Sequence, residues 1–151
     1  MPDEKPPFEI RQMQTNDIAS VLEIENQANP NPWSERQFQA ELTNSCSRID
    51  LLITDNQVAA YICSWHIVDE LQIQNVASAP KFRRQGWAAI LLEHLLARAG
   101  KENVARAFLE VRVSNVAARA LYEKFGFLSC GVRKKYYADN EDALLMELEL
   151  S

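Results

Sequence analysis

The sequence predicts a mixed α/β domain: a mostly antiparallel sheet of about seven strands and about four helices, in the order β-α-α-β-β-β-α-β-α-β-β. Three observations carry this. Alternating or β-branched apolar runs recur at residues 8–13, 48–54, 58–68, 71–78, 105–113, 127–134 and 143–150. Segments with helical spacing and capping residues lie between them. A single helix separates the runs at 71–78 and 105–113, so these two strands can lie parallel across a right-handed crossover, whereas short turns link the runs at 48–54, 58–68 and 71–78.

Residues 8–13, Phe8-Glu9-Ile10-Arg11-Gln12-Met13, alternate as a half-buried strand does. Thr15 is placed to cap a helix, Asp17 sits in its first turn, and Ile18, Val21, Leu22 and Glu25 follow at helical spacing. Asn29-Pro30-Asn31-Pro32 stops that helix, because proline also restricts the residue before it. Ser34 and Glu35 open a second helix that reaches Leu42. Strands 48–54 and 58–68 flank the tight turn Asp55-Asn56-Gln57, and Asp69-Glu70 turns the chain into strand 71–78. The helix from Trp87 to Arg98 carries a broad apolar stripe of Ile90, Leu91, Leu92, Leu95, Leu96 and Ala99, with Gly100 as the expected stop. Strand 105–113 is buried. Ser114 and Asn115 cap a helix over 116–125, and Gly126 closes it. Strands 127–134 and 143–150 form a final antiparallel pair, joined through Tyr136-Tyr137 and the turn Ala138-Asp139-Asn140-Glu141-Asp142.

A chain of 151 residues suits one domain: residues 1–7, with three prolines, read as a flexible lead-in, and residues 8–151 as the folded part. Hydrophobic and charged fractions of 47% and 25% exclude disordered and fibrous classes. The formal net charge of −5 argues against general nucleic-acid binding and suits a cationic partner. Cys46, Cys63 and Cys130 are scattered and odd in number, as reduced cytosolic thiols are. His66 and His94 have no metal-ligand spacing with cysteine, so no metal is expected. Glu93, His94 and Arg98 interrupt the most apolar stretch, so none is suited to crossing a membrane. The expectation is a cytoplasmic monomer whose direct partners include neither a membrane nor a nucleic acid.

The turn Ala79-Pro80-Lys81-Phe82-Arg83-Arg84-Gln85-Gly86-Trp87-Ala88-Ala89 joins a strand to a helix start. Unbonded amides and the positive end of the helix dipole attract anions there, Arg83 and Arg84 add charge, and Gly86 permits close approach. On the local sequence alone, an ordinary connection with solvated arginines is the favoured reading. Glu110 interrupts an apolar strand, and it either has a partner or faces solvent across the pleat. Tyr122, at helical spacing, reads by itself as a core residue. Trp33, on a proline-rich loop, reads either as a core cap or as the wall of a binding site.

Two motifs together suggest a family. Arg83-Arg84-Gln85-Gly86-Trp87-Ala88 resembles the Gln/Arg-x-x-Gly-x-Gly/Ala acetyl-CoA loop of the GNAT family of N-acetyltransferases. Residues 114–127 resemble its Asn-x-x-Ala-x-x-Leu-Tyr-x-x-x-Gly-Phe signature, in the expected order and one strand further on. Pro32-Trp33-Ser34-Glu35, Leu109-Glu110-Val111-Arg112 and Arg133-Lys134-Lys135-Tyr136-Tyr137 narrow the likeness to the ribosomal-protein-alanine N-acetyltransferase branch, over nearly the whole chain.

The resemblance implies a GNAT-like fold and acetyl-CoA as co-substrate, without a metal. It gives Val76, Ala77 and Ser78 to the pantetheine arm, residues Arg83, Arg84, Gln85, Gly86, Trp87, Ala88 and Ala89 to the pyrophosphate, and Asn115 to a further cofactor contact. Glu110 matches the family's proton acceptor and Tyr122 its proton donor, while Trp33, Tyr136 and Tyr137 would line the acceptor groove. The implied acceptor is a protein or peptide N-terminus, in particular the N-terminal alanine of a small-subunit ribosomal protein. Trp87 is bulkier than the usual leucine or isoleucine, Ala88 replaces the commoner glycine, and Ser78-Ala79 replaces the usual valine-aspartate. Other readings are a GNAT enzyme for another amine (a different protein N-terminus, a lysine or a small molecule) and a non-catalytic acyl-CoA-binding domain. A P-loop is disfavoured because the turn lacks the lysine-serine/threonine ending.

Overall fold

The structure is a computed structural model that describes residues 5–150. Seven strands are ordered β1-β2-β3-β4-β5-β7-β6 in one mixed sheet. They are β1 (Phe8–Gln12), β2 (Ser47–Thr54), β3 (Gln57–Ile67), β4 (Glu70–Ser78), β5 (Arg106–Arg112), β6 (Leu128–Arg133) and β7 (Ala143–Glu149). The four α-helices are α1 (Ile18–Ala28), α2 (Glu35–Thr43), α3 (Trp87–Lys101) and α4 (Val116–Lys124). Element order and strand directions follow the expected pattern. β1 pairs antiparallel with β2, β5 and β6 pair antiparallel with β7, and β4 and β5 are parallel. The parallel ladder is short: it joins Glu70 through Ile73 to Arg106 through Leu109, and both strands continue beyond it.

The chain divides into two compact units, one with residues 5–64 and 75–95, the other with residues 65–74 and 96–150. In the first, Met13, Ile18, Val21, Ile24, Phe38, Ile49, Leu51, Tyr61 and Cys63 build a core between the helices and the sheet. Burying such side chains contributes about 1.5–3 kcal/mol each. The β2–β3 hairpin closes through Asp55 and Asn56 at φ 54° and 56°, the left-handed pair that a two-residue turn requires. In the second unit the burial of β5 alternates strictly: Ala107, Leu109 and Val111 are buried, whereas Glu110 and Arg112 take the other face.

Two boundaries differ from expectation. Thr15 does not cap α1: residues Thr15–Asp17 form a 3-10 turn, and the Asp17 carboxylate accepts the Gln14 amide at 2.8 Å. Gly100 does not stop α3, which continues through Lys101; Asn103, at φ 63°, makes the turn, and its amide bonds the Gly100 carbonyl at 3.3 Å. Of the lead-in, Met1 to Glu4 lie outside the described residues. Lys5 and Pro7 are engaged: the Lys5 ammonium stands 4.9 Å from the Trp87 ring centroid, and Thr54 donates to the Pro7 carbonyl at 2.9 Å.

Candidate active site

The basic turn belongs to the first unit. Arg84 at φ 63° and Gly86 at φ 84° wind it into α3, and the Gly86 carbonyl accepts the Ile90 amide at 3.1 Å. Gly86 is thus the residue before the first helical turn, and the amides of Trp87, Ala88 and Ala89 have no preceding turn to bond. Gln85 locks the loop internally. Its Nε2 donates to the Lys81 carbonyl at 3.0 Å, and its Oε1 accepts the Trp87 indole N–H at 3.1 Å. The bulk of Trp87 is absorbed by burial: the indole is 2% exposed, edge-on to Phe8 at 5.5 Å. Arg83 and Arg84 are exposed. Val76 and Ser78 are half-buried and Ala77 is buried, at the end of β4 that outlasts the parallel ladder. Left-handed turns, a residue without a Cβ and a run of helix-start amides fit a phosphate-bearing cofactor chemically.

The second unit gathers Glu110, Tyr136, Tyr137 and Tyr122. The Tyr136 phenol is raised by burial and then by the nearby Glu110 carboxylate, and Arg133 Nε lies 3.9 Å from Glu110 Oε2. Burial, then the Glu110 charge, pushes the Tyr137 phenol up to about 12. Tyr122 is 7% exposed, edge-on to Phe127 at 5.9 Å. Its phenol is raised by burial, with a smaller push from Tyr137. The Glu110 carboxylate stays open to solvent while the Tyr122 ring is dry. Asn115 spends its side-chain oxygen on the Ala118 amide at 3.1 Å as the cap of α4.

Trp33, in the first unit, is half-buried and tilted against Phe38 with centroids 5.3 Å apart, so its ring does cap the core. Two residues to which the sequence assigned no role hold these segments. Arg112 Nη1 contacts Asp139 at 2.8 Å and Glu141 at 3.0 Å, while its guanidinium stacks 4.1 Å from the Tyr137 ring centroid. Glu25 is fully buried; its one sequence signal was a carboxylate on the apolar face of α1. Among the described residues no group of His, Cys, Asp or Glu has metal-binding geometry, and no helix is long and apolar enough to cross a membrane.

Known proteins share this fold. The sequence profile of the acetyltransferase (GNAT) family matches residues 18–127. The [ribosomal protein bS18]-alanine N-acetyltransferase of Escherichia coli is 38% identical over 147 residues, covering 94% of this chain and 97% of that protein. An N-alpha-acetyltransferase of Saccharolobus solfataricus is 33% identical, covering 92% and 91% of the two chains. The crystal structure of the ribosomal-protein-S18-alanine N-acetyltransferase from Escherichia coli superposes with a TM-score of 0.89 at 36% identity, covering 96% of this chain and 95% of that one. The chain belongs to the acetyltransferase (GNAT) family and is an N-acetyltransferase that draws its acetyl group from acetyl-CoA.

Proposed function

We propose that the chain acetylates the N-terminal α-amine of a protein, with the N-terminal alanine of a small-subunit ribosomal protein as acceptor. The observation that carries the reading is the solvent-open Glu110 carboxylate ringed by Tyr136, Tyr137 and Arg133, in a chain so similar to the bS18-alanine enzyme. When bound, acetyl-CoA supplies an activated acyl carbon. The turn amides of Gly86 through Ala89 hold its pyrophosphate with Arg83 and Arg84, the backbone of Val76, Ala77 and Ser78 holds its pantetheine arm, and Asn115 adds a further contact. Trp33, Tyr136 and Tyr137 line the acceptor groove.

An N-terminal amine has a pKa of about 7.7–8.0, so a tenth to a fifth is neutral near pH 7 and the base has one proton to remove. Glu110 takes that proton as the amine nitrogen bonds the acyl carbon and the carbon–sulfur bond breaks. Tyr122 hydrogen-bonds the departing sulfur and returns a proton to it. No cysteine takes part: Cys63 is buried with its thiol pushed up by burial, and the exposed Cys130 thiol is also raised. The free cysteines and acidic surface support a cytoplasmic monomer acting on a cationic peptide. Likeness to the Saccharolobus enzyme supports a second reading, a broader range of protein N-termini. Peptides differing in their first residues, incubated with acetyl-CoA and resolved by mass spectrometry, test both. Modification confined to internal lysines or small amines would overturn them.

A further inference from the structure

The α1 helix buries a carboxylate where its apolar stripe calls for a leucine: Glu25 is 0% exposed. Four donors from three separate segments converge on it. Its Oε1 accepts the Tyr61 hydroxyl of β3 and, at 3.0 Å, the Asn75 side-chain amide of β4. Its Oε2 accepts the Trp33 backbone amide at 2.9 Å and the Asn29 side-chain amide at 3.2 Å. Asn29 in turn accepts the Asn31 amide at 3.1 Å, so the proline-rich segment 29–33 is strung on this one carboxylate. The Tyr61 phenol is raised by burial and then by the Glu25 charge, which fixes it as the donor.

A buried carboxylate is costly, and an apolar residue of similar volume often serves stability as well or better. What an apolar residue cannot do is hold a backbone amide of a loop without regular structure and a strand side chain at a fixed separation. Asn75 directly precedes Val76, Ala77 and Ser78, assigned above to the pantetheine arm, and Trp33 is assigned to the acceptor groove. We propose that Glu25 is a positioning residue for the acceptor: it sets the Trp33 segment relative to the cofactor strand, so that the incoming N-terminus meets a preformed wall. The proposal rests on the acceptor reading given above. Glu25 itself, fully buried, touches no substrate.

Three variants, assayed with acetyl-CoA and an alanine-first peptide alongside thermal melts, test the assignment. Glu25→Gln turns one oxygen into a donor that faces two donors. It is expected to raise the peptide KM about tenfold while kcat and the acetyl-CoA KM stay within about twofold. Adding Asn75→Asp restores an acceptor opposite the introduced side-chain amide and brings the peptide KM back. Asn29→Ala, a surface-side change that spares the core, raises the peptide KM about threefold. A folded Glu25→Gln enzyme with unchanged peptide KM, or with both KM values and kcat degraded together and no recovery in the double variant, overturns the proposal. Should Glu25→Gln fail to fold, an unchanged peptide KM in Asn29→Ala overturns it. Absence of N-terminal acetylation by the wild-type protein instead sinks the acceptor reading itself.

Discussion

Arg133 reaches Glu110 across an intervening strand. The two lie on β6 and β5, and β7 runs between them with Leu145 opposite both Glu110 and Gly131, and Ala143 opposite both Arg112 and Arg133. At 3.9 Å, with side chains 57% and 31% exposed, the pair stabilises little. Glu110→Gln is therefore expected to leave the melting temperature unchanged and to lower kcat by at least about a hundredfold, the lower range for a lost general base. Acetyl-CoA affinity, read by calorimetry, should not move. Wild-type turnover in this variant would remove Glu110 from the chemistry.

Tyr122 calls for a smaller effect. A dry phenol whose pKa is raised by burial is a weak acid, whereas a thiol near 8.5 leaves as a fairly stable thiolate. In the proposed mechanism the hydroxyl would orient and hydrogen-bond the sulfur as much as protonate it. Tyr122→Phe keeps the ring against Phe127 and should cost about tenfold in kcat, the worth of one hydrogen bond to a charged group. A full-rate Tyr122→Phe enzyme would reduce the residue to packing.

The segment after β6 is held by carboxylates whose titration has a defined sign. Asp139 is kept below its ordinary range by its hydrogen bond from Arg112, Glu141 by Ser114 and then Arg112, and Asp142 by the Lys135 amide. Arg112, raised by Asp139 and Glu141 against the opposing effect of burial, stays cationic throughout. Depressed carboxylates favour the ordered segment fully above their unfolded values, about 4, and the contribution fades as pH falls through the lower folded values. Tyr137 ring resonances, shifted by the Arg112 guanidinium 4.1 Å away, should stay constant from pH 9 to 5 and move toward free-tyrosine values below about pH 4. Flat shifts down to pH 2, or a transition near neutrality, would contradict this. Arg112→Ala should produce the low-pH spectrum at pH 7.

The sequence made the strands and helices legible because periodicity and caps act locally; the α2 cap, Ser34 accepting the Gln37 amide at 3.2 Å, is an example. It misled at Gly100, where a Cβ would meet nothing within 4 Å and the helix simply continues until Asn103 turns left-handed. Trp33 stayed ambiguous because sequence cannot show what its backbone does: the ring packs on Phe38, and the backbone amide is held by Glu25. The roles of Glu25 and Arg112 escaped notice for one physical reason. Their partners come from residues 29, 33, 61 and 75 in one case and 137, 139 and 141 in the other, and no short motif encodes such convergence.

Gly86 separates backbone strain from cofactor binding. At φ 84° a side chain costs roughly 1–2 kcal/mol, whatever the space around it. The added Cβ would meet only the end of the flexible Lys5 side chain, 3.1 Å away, so the steric part is cheap and Gly86→Ala should still fold. It would, however, stand on the loop whose amides are to receive the pyrophosphate. Gly126, at φ 99°, has comparable strain, and its Cβ would press Leu148 Cδ1 at 3.2 Å, in the other unit. Both alanine variants should lose a few degrees in melting temperature, at about 2–4 °C per kcal/mol for a chain of this size. Only Gly86→Ala should weaken acetyl-CoA binding, by about tenfold, with kcat at saturating acetyl-CoA nearly intact. Equal losses of affinity in the two variants would mean that strain alone is being read, and that the turn before α3 is a connection and not a phosphate cradle.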